Sequence, residues 1–199
     1  LTNDQLIEAF DHCKSIGLPP LCTPWDQESL EILEDYGMDS YKVASADFTN
    51  HPFLKKLVET NKPLICSTGM STEEEIIKTV DFLKSFDTEF ALLHCNSTYP
   101  TPYRDVNLSY ITRLRNRTGV RIGYSGHERG ISAPCAAVVL GAKIIEKHFT
   151  ILPKDKTKDG PVSINGNLLK ELSDFAKLNN DKQIEELNKI NLDLVKIKG

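Results

Sequence analysis

Apolar residues along this chain alternate between two spacings. Short runs at residues 20–23, 40–45, 63–67, 90–95, 121–124 and 143–147 read as six strands. Between them the apolar positions recur at helical spacing. Asn3–Ser15 carries Leu6, Ile7 and Phe10, and Gln27–Tyr36 carries Leu30, Ile32 and Leu33, with Gly37 placed to stop the helix. Thr72-Glu73-Glu74-Glu75 has the form of a capping box that opens the next helix. Helices are also expected over 107–117 and 131–140, followed by Gly119 and Gly141. A last helical region starts near Asn167 and runs into a polar stretch, 178–199, that reads as helix or fraying terminus.

Strict alternation of strand and helix predicts a parallel α/β sheet. No G-x-G-x-x-G follows the first strand and no G-x-x-x-x-G-K-[ST] occurs, so neither a dinucleotide fold nor a P-loop is indicated. Polar residues instead recur at the C-terminal ends of nearly every strand: Thr23, Ser45, Ser67, Cys95 to Ser97, Ser125 to His127, and His148. A (β/α)8 TIM barrel spreads its chemistry in this way. A doubly wound sheet would concentrate it at one switch point. Six strands are two short of a barrel, so the expectation is a single partial barrel domain over 1–199, or an open sheet.

Composition narrows the function classes. The chain has 199 residues, 26% of them charged, and a net charge of −4, which gives no attraction to nucleic acid or an anionic membrane surface. No apolar run is long enough to span a bilayer. The N-terminus lacks the basic and apolar regions of a signal peptide, and the missing initiator Met points to a chain cut from something longer. Five cysteines, an odd number with no C-x-x-C pair, argue against a disulfide framework or structural zinc and for a reducing cytoplasm.

Several residues could carry chemistry. His127 and His148 each close a strand-like segment, 21 residues apart, the length of one strand–helix unit. If those strands are neighbours, both imidazoles lie at one end of the sheet. They then form either a divalent-metal site or two locally hydrogen-bonded histidines. Lys42 lies within an apolar strand and asks for a counter-charge, such as a substrate carboxylate or phosphate, or a large pKa shift, unless it snorkels out from an edge. Glu146 shares strand parity with His148, as a partner for a cation or as part of a structural ion pair, and Lys147 points the other way. Asp47 is a candidate general base or a turn and capping residue. Asn96, Ser97 and Tyr99 are hydrogen-bonding groups on a strand-end loop. Cys95 reads as a packed thiol and His94 as structural. The small-residue segments Ser67 to Ser71 and Tyr124 to Gly126 offer backbone amides to an anion.

These segments together resemble the N-acetylneuraminate (sialic acid) synthase family, which includes legionaminic and pseudaminic acid synthases. The resemblance runs from about residue 18 to 163. It is carried by Cys22-Thr23-Pro24, Tyr41 to Asp47, Ser67-Thr68-Gly69-Met70, Leu93 to Pro100, Gly123 to His127, Ala142 to Thr150 and Asp159-Gly160-Pro161. It implies a barrel that condenses phosphoenolpyruvate with an open-chain N-acylated amino sugar such as N-acetylmannosamine, releasing phosphate by C–O cleavage. His127 and His148 are then the ligands of a divalent metal, Mn2+ or Mg2+. Thr23, Lys42, Ser45, Ser97 and Ser125 fall where the family binds phosphoenolpyruvate, Tyr99 and Asp159 where it contacts sugar, and Asp47 where it activates water.

Asp47 is one methylene shorter than the family's usual glutamate, and Ser97 stands where some members have asparagine. The family's first two strands and its C-terminal antifreeze-like domain have no counterpart in the resemblance. The resemblance implies a homodimer for the full-length protein. Two other readings remain: a truncated, non-catalytic metal- or ligand-binding or interaction module, and a Schiff-base lyase using Lys42, which would have no need of the two histidines.

Overall fold

The computed structural model describes residues 1–178 and 181–186. Five strands form a sheet in the order β1-β2-β3-β4-β5. They are β1 (Tyr41–Val43), β2 (Leu64–Ser67), β3 (Phe90–Cys95), β4 (Arg121–Gly126) and β5 (Ile145–Lys147). The β1–β2 and β4–β5 pairs are parallel. A helix separates each strand from the next, and spatial order follows chain order. Consecutive units of a (β/α)8 barrel have this arrangement, and five strands are fewer than its eight. The expected first strand at 20–23 is reduced to one parallel bridge, Cys22 to Tyr41. Pro20 and Pro24 flank that bridge and lack the backbone N–H that a ladder needs. Ile164, beyond the last expected strand, bridges Phe149. Of the tail expected as helix or fraying terminus, 181–186 are helical, and 179–180 and 187–199 lie outside the described residues.

The chain divides into two compact units. The first, residues 1–66 and 71–91, holds α1 (Asn3–Ser15), α2 (Gln27–Tyr36), β1, α3 (His51–Glu59), most of β2, and α4 (Glu73–Lys84). Capping boxes open three of its helices, at Thr2 with Gln5, Asp26 with Ser29, and Thr72 with Glu75. Gly37 ends α2 at φ 80°, a left-handed backbone that suits glycine. The periodicity reading did not delimit α3; Asn50 caps it, Pro52 sits in its first turn, and Phe53, Leu54, Leu57 and Val58 are buried. β1 stops at Val43, short of the expected Ser45, because Ser45–Asp47 turn into a 3-10 helix.

In this unit Glu34 accepts hydrogen bonds from the Tyr41 hydroxyl and from Lys62 Nζ at 2.5 Å. Burial pushes the Glu34 carboxyl up, but the Lys62 and Tyr41 hydrogen bonds outweigh it and hold its pKa below the ordinary 4.5. A depressed carboxylate stabilises the fold above its unfolded pKa, and that contribution disappears as pH falls through the folded value. Lys62→Met is therefore expected to cost about 1 kcal/mol at pH 7. The difference should close near pH 2, as read from urea unfolding at both pH values. A gap undiminished in acid would remove this ion pair as its source.

The second unit, residues 67–70 and 92–199, holds most of β3, α5 (Ser109–Thr118), β4, α6 (Ser132–Val139), β5 and α7 (Gly166–Ala176). Helix α5 starts later than expected because Asn107 has a left-handed φ of 49°. Ile131, Cys135, Ile164, Leu172 and Phe175 form a buried cluster with α6 and α7. Among the described residues no helix is long and apolar enough to cross a membrane.

Candidate functional site

The β4–β5 register places Ser125 opposite Glu146 and Gly126 opposite Lys147. β4 extends two residues past the expected Tyr124, which brings Ser125 into the ladder. Side chains alternate along strands. Ser125 therefore shares a face with Glu146, and its hydroxyl donates to Glu146 Oε1 at 2.7 Å. His127 and His148 follow at the next positions of the same parity. Their ring centroids lie 5.3 Å apart at an interplanar angle of 61°.

Both nitrogens of His127 are engaged. Nδ1 lies 2.7 Å from the Asn96 carbonyl, which can only accept, so Nδ1 carries the proton. Nε2 is left as the acceptor and receives the Tyr99 hydroxyl at 2.6 Å. Burial pushes the His127 pKa down, against the Asn96 carbonyl that raises it, so the ring is neutral at pH 7. Tyr99 stacks on His127 with centroids 4.0 Å apart and meets His148 edge-on at 5.5 Å. Burial first, then Cys95, Asp159 and Glu146, push the Tyr99 phenol up to about 12, so it stays protonated and donates. Asp159 Oδ2 lies 3.9 Å from His148 Nδ1. Cys95 is buried with Sγ 3.7 Å from His127 Nδ1. Ser97 is exposed on the loop after β3. His94, read as structural, bonds the Val106 carbonyl at 2.8 Å.

The donor set suits one class of ion. Among the described residues no three His, Cys, Asp or Glu side chains gather into a cage. Two imidazoles, one held by a backbone carbonyl at its far nitrogen, could offer an open half-site. A closed structural zinc needs four protein ligands. A hard divalent ion that keeps water and substrate oxygens does not.

The first unit carries the remaining candidates. Lys42 is buried in β1, with Nζ donating to the Val43 carbonyl at 3.2 Å. Its charge opposes the burial that pushes the Cys66 thiol up to about 12. Lys42 is thus buried rather than reaching out from an edge. Asp47 ends the 3-10 turn and accepts from Asn50 Nδ2 at 3.1 Å. Ser45 opens that turn, and Thr23 follows the Cys22 bridge, half-buried.

Sequence reasoning missed Glu128. It is fully buried, accepts the Tyr124 hydroxyl at 2.5 Å and pairs with Lys147 at 2.8 Å. The parity of Lys147 is as expected, away from Glu146. Its partner follows His127 in a loop, where a charge looks like a solvated one.

The profile of the NeuB family matches residues 1–197. The chain is 39% identical over 174 residues to the N-acetylneuraminate-9-phosphate synthase of Drosophila melanogaster, covering 86% of this chain and 47% of that protein. It is 40% identical over 157 residues to the N,N'-diacetyllegionaminic acid synthase of Campylobacter jejuni, covering 77% and 46%. The crystal structure of N-acetylneuraminic acid synthetase from Leptospira borgpetersenii, in complex with citrate, superposes with TM-score 0.84 at 30% identity, covering 96% of this chain and 64% of that one. The chain spans about half the length of the curated relatives it matches.

Proposed function

This chain belongs to the NeuB family, and from that premise we propose that it carries part of the barrel of a synthase condensing phosphoenolpyruvate with an N-acylated amino sugar. Its homologues are synthases of sialic, legionaminic and pseudaminic acids. The observation that best supports the reading is the pair of imidazoles 5.3 Å apart, one with its tautomer set by the Asn96 carbonyl.

His127 and His148 would hold manganese or magnesium, whose chemistry there is Lewis-acid polarisation of the sugar aldehyde. The Asn96 carbonyl orients the His127 ring, keeping the proton on Nδ1 and the lone pair on Nε2. Tyr99 and Asp159, beside the two imidazoles, would bind the sugar, and Ser97 and Ser125 the phosphoenolpyruvate. In the first unit, the buried Lys42 ammonium, with Thr23 and Ser45, suits an anion such as phosphoenolpyruvate. Asp47 there would take the proton of the attacking water. In the balanced reaction the methylene carbon of phosphoenolpyruvate bonds to the aldehyde carbon, water adds at its central carbon, and phosphate departs with its bridging oxygen.

The test is phosphate release from phosphoenolpyruvate by the 199-residue chain, with N-acetylmannosamine and manganese. Sugar-dependent release that a chelator abolishes is the expected result. Manganese binding without release would favour a non-catalytic ligand-binding module. Borohydride trapping of a carbonyl substrate on Lys42 would count for a Schiff-base enzyme instead.

A further inference from the structure

We propose that Lys147 is a positioning residue that sets the distance between the His127 and His148 imidazoles, an inference that rests on reading those two histidines as metal ligands. Lys147, the last residue of β5, immediately precedes His148. Its ammonium crosses to the neighbouring strand end and donates to the Gly126 carbonyl at 3.1 Å and to the Glu128 carbonyl. Those two carbonyls come from the residues on either side of His127. A third bond, to Glu128 Oε1 at 2.8 Å, anchors the cation from the side. An ammonium has three N–H donors, enough to serve all three acceptors at once. One cation, fixed in the chain next to one imidazole, thus grips the backbone on both sides of the other.

The surroundings make the grip rigid. The Lys147 and Glu128 side chains are 2% and 0% exposed, so neither charge is screened by water. The Tyr124 hydroxyl holds the other carboxylate oxygen at 2.5 Å. Gly126, directly opposite Lys147 in the ladder, leaves the space this assembly fills. A Cβ there would lie 2.8 Å from both Glu128 carboxylate oxygens and from the Tyr124 ring. Strand alternation puts this assembly on the sheet face opposite the imidazoles, so it acts through the backbone and not on a ligand directly.

Removing Lys147 alone would strand a buried carboxylate, so the informative variant neutralises both partners. Manganese is titrated calorimetrically into the full 199-residue chain as wild type, as His127→Ala and as Glu128→Gln/Lys147→Met. The double variant is expected to melt within a few degrees of wild type and to bind manganese at least tenfold more weakly. In the metal-free protein its His127 ring nitrogen resonances should broaden, a change that packing alone would not cause. A folded double variant with wild-type affinity and a sharp His127 signal overturns the inference while leaving the metal reading in place. Wild-type chain that binds no manganese overturns both. If the double variant does not fold, Tyr124→Phe, which frees the carboxylate but spares the cation, decides: a severalfold loss of affinity supports the inference and none overturns it.

Discussion

Replacing either His127 or His148 with alanine is expected to abolish tight manganese binding while leaving most of the fold intact. Each imidazole is half of the protein's share of the proposed site, so truncating one leaves a single nitrogen ligand. The expected loss is on the order of 100-fold or more, above the 10- to 100-fold typical for removing a supporting hydrogen bond. The structural cost is smaller. His127→Ala removes the ring N–H donor to the part-buried Asn96 carbonyl and opens space under Tyr99, which is worth about 2 kcal/mol. The His148 side chain is 33% exposed, so its truncation costs less. Manganese titration and circular dichroism on the same samples separate the two effects. Unchanged affinity in both variants would remove the metal-site proposal.

The second large effect is on stability. Gly123→Ala should destabilise the chain by about 3 kcal/mol, a large share of the 5–15 kcal/mol typical of a domain. A Cβ at Gly123 would stand 2.5 Å from the Ile144 carbonyl oxygen and 2.5 Å from Leu93 Cδ2. Leu93 could change rotamer. The Ile144 oxygen cannot move away, because it accepts the Tyr124 N–H at 2.8 Å in the β4–β5 ladder. Relief would pull apart the two strands whose ends carry the histidines. Gly166→Ala is the control: nothing lies within 4 Å of its added Cβ, at the first residue of α7. That change should stay within about 1 kcal/mol of wild type and favour the variant. A Gly123→Ala midpoint in urea matching that of Gly166→Ala would refute the clash.

The starts of helices α1, α2 and α4 are legible in the chain because their caps are local: a side chain three residues away satisfies the first free amides. Helix α3 is short, and its cap, Asn50, sits inside a polar turn that also contains Asp47, so the start signal is blurred. Strand ends are less legible, because a ladder stops where the chain turns away, as at β1, or continues with a neighbour, as at Ser125. The proximity of the two histidines follows from one assumption, that successive strands are neighbours, and β4 and β5 are. The Glu128–Lys147 pair is not readable in this way. It depends on a one-to-one register across two strands and on a loop that folds back, and neither leaves a periodic trace.

The hydroxyl of Tyr99 sits on His127 Nε2, the lone pair that an arriving cation would need. If His127 holds the proposed ion, loading would be an exchange of partners rather than the filling of a gap, with the phenol giving up Nε2. Tyr99 is already 49% exposed, so its hydroxyl has water to turn to. On the proposed reading, a residue assigned to the sugar is also displaced by the ion, and tyrosine fluorescence becomes a clock for metal arrival before any sugar binds.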